Sequence, residues 1–434
     1  MSSAPARLQV RIVGGGLAGL AAASFLREHH DVTVLERYKL EFTRNDYAIS
    51  LAPNARRLLL KQGIQDENLD ATILNYVWGV GPDGKIIREA LAESLSKFGT
   101  TTVFTRRSRL HAELHRLATS PQLRGPPARI IDEVKIAAVD VDAGIIITES
   151  GETYTGDLIV GADGINSTVR SAVLSAAGCK SVAPVPSGLT AYLCTVPASF
   201  IRSEPALNFL VRGDEKGMGY GMAGLMGSGD PRKRVLVYPA DSPSSSSGEF
   251  QIAAYHPEDA WVDTFTQTGS SIIKGVPTAG VVADFSPENG FHLSVGNMFA
   301  AVSKPPDVWR IRDVPRMSAW CAARAVIIGD AAHAVTPHFG QGCNIAIEDG
   351  EALAFFLRSL PSSSEEHIRQ ALHSFAELRI PRAHMVQFAS RQRVGLLTEE
   401  EKKERPQFDS GGVMDKIYAY KSAKEEWDVL KSAQ

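Results

Sequence analysis

Cysteine is scarce. The 434 residues contain four, Cys179, Cys194, Cys321 and Cys343, widely separated and with no C-x-x-C pair. That excludes a disulfide framework and a thiolate zinc site, no metal ligand set is assigned, and a reducing compartment is expected. An excess of one charge is also missing: 46 basic residues face 49 acidic ones, a net charge of -3. A strongly basic nucleic-acid binder is thereby excluded, and nothing invites an anionic membrane. Long hydrophobic runs are absent. The longest near the start, residues 17–26, is interrupted by Gly19 and Ser24 and is too short to span a bilayer. The opening MSSAPAR lacks the apolar core of a signal peptide, and the closing KSAQ carries no lipidation or retention signal, so a cytoplasmic location is expected.

What the chain does have is bulk and glycine. At 44% hydrophobic over 434 residues it can bury a large core without staples, and its length suggests two or three domains. The opening reads as strand (8–13), glycine turn, helix and strand (31–36), a right-handed parallel unit. Pro53 starts a helix over 53–62 that Gly63 stops. Leu110, Leu114 and Leu117 share one face of a helix over 107–118. Residues 144–148 and 157–160 read as strands returning to the sheet. Between about 181 and 302 the pattern changes to short β-like runs (LTAYLCTV, ALNFLV, RVLVYP, EFQIAAY) separated by Gly, Pro and Ser, including a solvated loop at 241–248. Beyond it α/β patterning returns: a buried strand at 325–328, a strong helix from 342, a helix over about 365–391 broken at Pro381, and a charged tail that turns helical near 415–430.

Three motifs carry chemistry. Gly14-Gly15-Gly16-Leu17-Ala18-Gly19 follows a strand and opens a helix. Gly14 permits the turn, Gly16 lets a pyrophosphate approach the backbone, Gly19 lets helix and strand pack closely, and the helix N-terminus offers free N–H groups to phosphate. Glu36 closes the next strand, where a carboxylate accepts from ribose hydroxyls. The pattern alone does not separate FAD from NAD, and its bland counterpart is a turn with no ligand. The second motif is Asp163-Gly164 after the strand ending at Val160, followed by Asn166-Ser167-Thr168, a sequon that reads as a helix cap. The third is Gly329-Asp330-Ala331-Ala332-His333 with Pro337 and Gly340-Gln341-Gly342. There a strand delivers Asp330 to the sheet edge, and backbone N–H groups at a helix start face developing negative charge.

In this order the three motifs resemble the group A flavoprotein monooxygenases, the para-hydroxybenzoate hydroxylase family, over nearly all of the chain to about Arg391. Residues 187–199 and 234–239 bring it nearest to salicylate-hydroxylase-like and fungal secondary-metabolite enzymes. The resemblance implies an α/β fold: an FAD-binding Rossmann-like parallel sheet of the glutathione-reductase type (1–180 and 303–360), an inserted mixed β-sheet substrate domain (181–302) and a C-terminal helical region (361–434). It implies that Gly14, Gly16, Leu17, Ala18 and Gly19 cradle the FAD pyrophosphate, that Glu36 takes the adenosine ribose and that Arg37 lies near the adenine. Ala48 then sits beside the flavin, Arg107 contacts FAD, and Asp163 serves FAD and NAD(P)H. Asp330 holds the ribityl chain, Pro337 lies at the reacting edge, and Gly340, Gly342 and Cys343 border the ring. NAD(P)H, a transient co-substrate without a second fingerprint, would reduce FAD. A flavin C4a-hydroperoxide formed with O2 would then hydroxylate or epoxidise a small molecule.

Two departures shape the expected substrate. Leu193 stands where many phenol-oxidising relatives carry an Arg for a carboxylate or phenolate, so a mostly apolar aromatic or terpenoid-like molecule is expected, in secondary metabolism or detoxification. Asp46-Tyr47-Ala48 replaces the usual Gly-Ala-Gly. Tyr238 matches a family Tyr near the substrate, against a half-buried strand Tyr; His338 is a candidate general base, against simple packing. An FAD oxidase or dehydrogenase without oxygen insertion, or an FAD-binding protein without turnover, are the alternatives, and the oligomeric state is open.

Overall fold

The fold is described from a computed structural model, for residues 5–40, 46–211, 220–242, 248–404 and 409–433. Most of the Ser run within 241–248 lies outside these residues.

Alternating buried positions place the strand Gln9–Val13 in the middle of a six-stranded sheet. Leu158–Gly161 pairs with it on one side and Asp31–Leu35 on the other, both parallel. Ala325–Ile327 and Arg129–Ile131 extend the sheet in parallel, and Cys321–Ala322 closes one edge antiparallel. All four residues of Leu158–Gly161 are buried, as expected of a parallel strand covered on both faces. The helix Leu17–Leu26 is buried almost all round because Gly342–Leu357 and Arg107–Thr119 both pack on it. Gly350 makes that approach possible, since a Cβ there would meet the Ala22 backbone at 2.9 Å.

A mixed sheet stands beside this layer. Its order runs Ile272–Ile273, Asp307–Asp313, Val185–Pro197, Glu249–Pro257, Arg234–Pro239, Tyr220–Met226, Thr72–Val80, Val103–Arg106 and Ala48–Leu51, with Ile86–Leu91 paired to Thr72–Val80. It thus recruits strands from both sides of 181–302. Strict alternation gives it two faces. Tyr192, Cys194, Val196, Phe250 and Ile252 point into a core completed by Phe265, Phe285, Met298 and Phe299. Leu189, Ala191, Leu193, Leu236, Tyr238, Ala253, Tyr255 and Ile311 gather on the opposite face.

Three local expectations are corrected. Ile145–Thr148 lies in a separate three-stranded antiparallel sheet, not the parallel one, because its neighbours Ile136–Asp140 and Thr153–Thr155 are adjacent in sequence and form a meander. Asn208–Val211 is a 3-10 turn rather than a strand, with Phe209 edge-on to Trp78 at 5.1 Å. Pro381 does not break its helix, which runs unbroken over Glu365–Gln392. Arg379 and Arg382, on either side of the proline, are held by Glu348 and Asp349, and this anchoring outweighs the donor that Pro removes. The predicted helix over 53–62 is found at Pro53–Gln62, ended by Gly63 at φ +88°. Among the described residues no helix is long and apolar enough to cross a membrane.

Candidate flavin site

The glycine-rich turn is shaped by close backbone contacts. Gly14 has φ +105°, and a Cβ there would sit 2.4 Å from the Ala162 carbonyl oxygen; a Cβ on Gly19 would sit 1.9 Å from that of Gly14. Gly16 is different, because nothing lies within 4 Å of its Cβ position. The space it faces is a cavity of about 810 Å³ lined by Gly14, Gly16, Glu36, Arg37, Arg107 and Asp163, among others. Leu17–Leu26 begins there without a side-chain cap and without an acid in its first turn, so the N–H groups at its start remain for an anion. Leu17 buries its side chain and Ala18 abuts Gly329, so both would serve a ligand through their backbone. Volume, open glycine and uncapped helix fit the pyrophosphate of a dinucleotide.

Glu36 organises the entrance. Its carboxylate accepts from the Gly15 N–H at 2.7 Å and the Tyr38 N–H at 3.1 Å, which ties the end of the second strand to the turn. His111 reaches the Gly15 carbonyl at 2.8 Å. Arg37 is exposed at the rim, over the Tyr38 ring at 5.0 Å.

Asp163 caps the helix Thr168–Ala176: it accepts from the Ser167 hydroxyl at 2.5 Å, the Thr168 N–H at 2.7 Å and the Val169 N–H at 3.2 Å. Ser167 is the N-cap itself, accepting from the Arg170 N–H at 2.8 Å, as the sequon predicts. Burial pushes the Asp163 carboxyl up, and these hydrogen bonds oppose the rise. The residue both holds a turn and borders the cavity.

Arg107 connects the cavity to a second cluster. Its guanidinium lies 5.9 Å from the centroid of Tyr47 and is near enough to Asp330 and Cys343 to influence their protonation. Solvent reaches Asp330, yet the walls around it exclude enough water to push its carboxyl up, against the pull of His333 and Arg107. Burial raises the Cys343 thiol to about 12, so it is no thiolate nucleophile at neutral pH. Gly342–Leu357 starts here with neither a side-chain cap nor an acid in its first turn, preceded by Gly340 at φ +61°. Pro337 is exposed beside it.

Gly329 and His333 belong to the third motif, but the partners that fix this cluster, Asp349, Arg379 and Asn344, were not visible as motifs. Gly329 donates to Asp349 at 2.9 Å, His333 lies 2.6 Å from the same carboxylate, and Arg379 donates to it at 2.9 Å. Asn344 bonds the Ser50 and Gly340 carbonyls at 3.0 and 2.8 Å and accepts from the Ala52 N–H. Asp46 accepts from the Ser108 N–H and hydroxyl and so caps the helix carrying Arg107. Arg106 turns away from Arg107 to Asp241 and Glu249, while Arg109 also bonds Asp241. Only spacing-independent chemistry, a buried acid facing an Arg far along the chain, would have hinted at these pairs.

The sheet's site-facing side completes the arrangement. Tyr238 is stacked on Phe104 at 5.1 Å, and its hydroxyl donates to the Ala48 carbonyl at 3.4 Å. Burial pushes its phenol well up, so it stays protonated. Gln251 accepts from the Ala48 N–H at 3.0 Å, and Tyr47 meets Trp309 edge-on at 5.4 Å. His338 bonds the guanidinium of Arg234 through Nδ1, and its imidazole is held well below the usual range by burial, Arg234 and Arg393.

A parallel sheet with a glycine-rich turn at the C-terminal ends of its strands, joined to a mixed sheet by a shared cluster, has the architecture of a dinucleotide-binding protein. The chain belongs to the FAD binding domain family, whose model matches residues 7–271 and 301–387. It is 29% identical to hispidin-3-hydroxylase of Neonothopanus nambi, over 89% of this chain and 88% of that protein. It is 26% identical to the FAD-dependent monooxygenase cfoG of Aspergillus candidus, over 90% and 86%. The fold matches CtdE solved with FAD and a substrate (TM-score 0.72, 19% identity, 98% and 100% covered) and a salicylate hydroxylase substrate complex (0.71, 20%, 98% and 98%). The protein is an FAD-dependent monooxygenase, and FAD is its cofactor.

Proposed function

We propose that this chain uses NAD(P)H and O2 to hydroxylate or epoxidise an aromatic or terpenoid-like small molecule of specialised metabolism or detoxification. One observation supports this most: Arg107 joins the dinucleotide cavity to a cluster, Tyr47, Asp330 and Cys343, beside an aromatic and aliphatic sheet face. When bound, FAD accepts hydride from NAD(P)H and activates dioxygen.

The chain's own residues bind and orient. Gly14, Gly16, Leu17, Ala18 and Gly19 receive the pyrophosphate, Glu36 and Arg37 the adenosine end, and Asp163 the middle of the cofactor. Asp330 takes the ribityl chain, while Gly340, Gly342 and Cys343 present the start of a helix to the ring, where its dipole favours negative charge. Ala48 forms the opposite edge, fixed by Gln251 and Tyr238. Pro337, Tyr238 and His338 border the reacting side, and the apolar face excludes water. In this reading 1–180 with 303–360 hold the cofactor, 181–302 supply most of the substrate side, and 361–434 brace both.

The test is anaerobic flavin reduction by NADPH and by NADH, with and without a panel of phenols, indoles and terpenoids. A ligand class that accelerates reduction identifies the substrate class. Flavin that no ligand renders reducible would overturn the proposal.

A further inference from the structure

The site-facing side of the mixed sheet is mostly apolar and aromatic, with Gln251 and Asp307 on the same face, and Arg234 adds a cation to it. Arg234 enters from the strand Arg234–Pro239, opposite Tyr255, which is itself opposite Ala191. Its guanidinium lies over the Tyr255 ring at 4.9 Å and donates to Nδ1 of His338. Tyr255 and His338 have centroids 5.1 Å apart. Both partners are uncharged: a guanidinium has no lone pair, so Nδ1 must accept, which fixes His338 as the neutral tautomer with hydrogen on Nε2. That Nε2 is buried and has no hydrogen-bond partner among the described residues. No carboxylate lies within ion-pair distance of Arg234 among the described residues, and Arg393 adds a further positive charge nearby.

A half-buried cation facing neutral groups, with no carboxylate in ion-pair reach among the described residues, is a site for an anionic oxygen. We infer that Arg234 is the substrate anchor, and that the substrate carries an ionisable oxygen, a phenol or enol hydroxyl, held there as its anion with the proton released to water. The inference rests on the monooxygenase reading and deepens it. It revises the consequence of Leu193: the anchoring charge has moved rather than vanished. Leu193, Ala253 and Leu236 lie in one cross-strand row. Arg234 is two strands over and two residues along, roughly 12 Å from the Leu193 Cα by strand spacing and rise. The substrate's polar end therefore points elsewhere than in enzymes with an Arg at the Leu193 position.

The probes are 4-nitrophenol and its methyl ether, 4-nitroanisole, titrated into the FAD-loaded protein without NAD(P)H. Wild type is expected to bind the phenol at least about tenfold more tightly than the ether, with the phenolate absorption band enhanced on binding. Arg234→Gln is expected to abolish both the preference and the band, and Arg234→Lys to retain part of each. The visible spectrum of bound FAD confirms that each variant is folded. Equal affinity for the two probes, failure of both to bind, or a preference that survives Arg234→Gln overturns the assignment. Ligand-accelerated reduction by NAD(P)H reads the monooxygenase proposal separately, because the titration needs no electron donor.

Discussion

The Ala48 N–H donates to the Gln251 side chain at 3.0 Å across 203 positions of sequence. Gln251 donates in turn to the Cys194 and Ile252 carbonyls at 2.9 Å. One buried amide thus joins the mixed sheet to the segment assigned to the flavin edge. Gln251→Leu leaves the Ala48 donor unpaired and is expected to cost about 1–3 kcal/mol, read as a lower Tm. Tyr238→Phe removes a longer contact and is expected to cost less than about 1 kcal/mol, so a large fall in kcat with little change in Tm would assign the hydroxyl a direct part in turnover.

Gly14→Ala tests the turn itself. At φ +105° and 2.4 Å from a carbonyl oxygen, a methyl group has no room, and the backbone must shift. The variant is expected to lose FAD on gel filtration, with flavin absorbance leaving the protein peak. Glu36→Gln keeps the size but removes charge and one acceptor capacity at Gly15 and Tyr38, and is expected to weaken FAD binding by about tenfold in a fluorescence titration.

The Arg106–Asp241 pair predicts a stability effect separable from FAD binding. Asp241→Asn removes one carboxylate from both arginines but leaves Arg106 with Glu249 and Arg109 with Asp70, at a cost of about 1–3 kcal/mol. Denaturant unfolding of the holoprotein reads it.

Acid sensitivity follows from two buried histidines. Burial holds His30 and His256 at about 4 in the folded protein, below the unfolded value of 6.5. Each is neutral when folded and takes up a proton on unfolding between those limits. Their contribution is complete above pH 6.5 and is lost as pH falls towards 4, by up to about 3 kcal/mol each. Tm measured across that window should fall, and His30→Gln should flatten the fall. An unchanged slope in the variant would contradict this account.

The sequence made the parallel unit legible because glycine turns and helix stops are local. Pro53 and Gly63 bound their helix in the structure as in the pattern. The three motifs were legible for the same reason: each is a short segment where backbone geometry dictates the residue. What stayed hidden depends on distant partners. Nothing near Gln251 points to Ala48, and Arg234 reads as an ordinary strand residue until Tyr255 and His338 are placed around it. Pro381 misled because helix continuity there is set by Arg379 and Arg382 finding Glu348 and Asp349, not by local propensity. Ile145–Thr148 misled because a buried strand pattern does not say which sheet receives it.

The most direct measurement of the central claim is product mass after turnover under 18O2 with NADPH or NADH, using the ligand class that accelerates flavin reduction. The account predicts one 18O atom in the product for each NAD(P)H productively consumed. NAD(P)H oxidation that yields only hydrogen peroxide, or a product oxidised without labelled oxygen, across the whole panel would contradict it and leave an FAD oxidase or dehydrogenase.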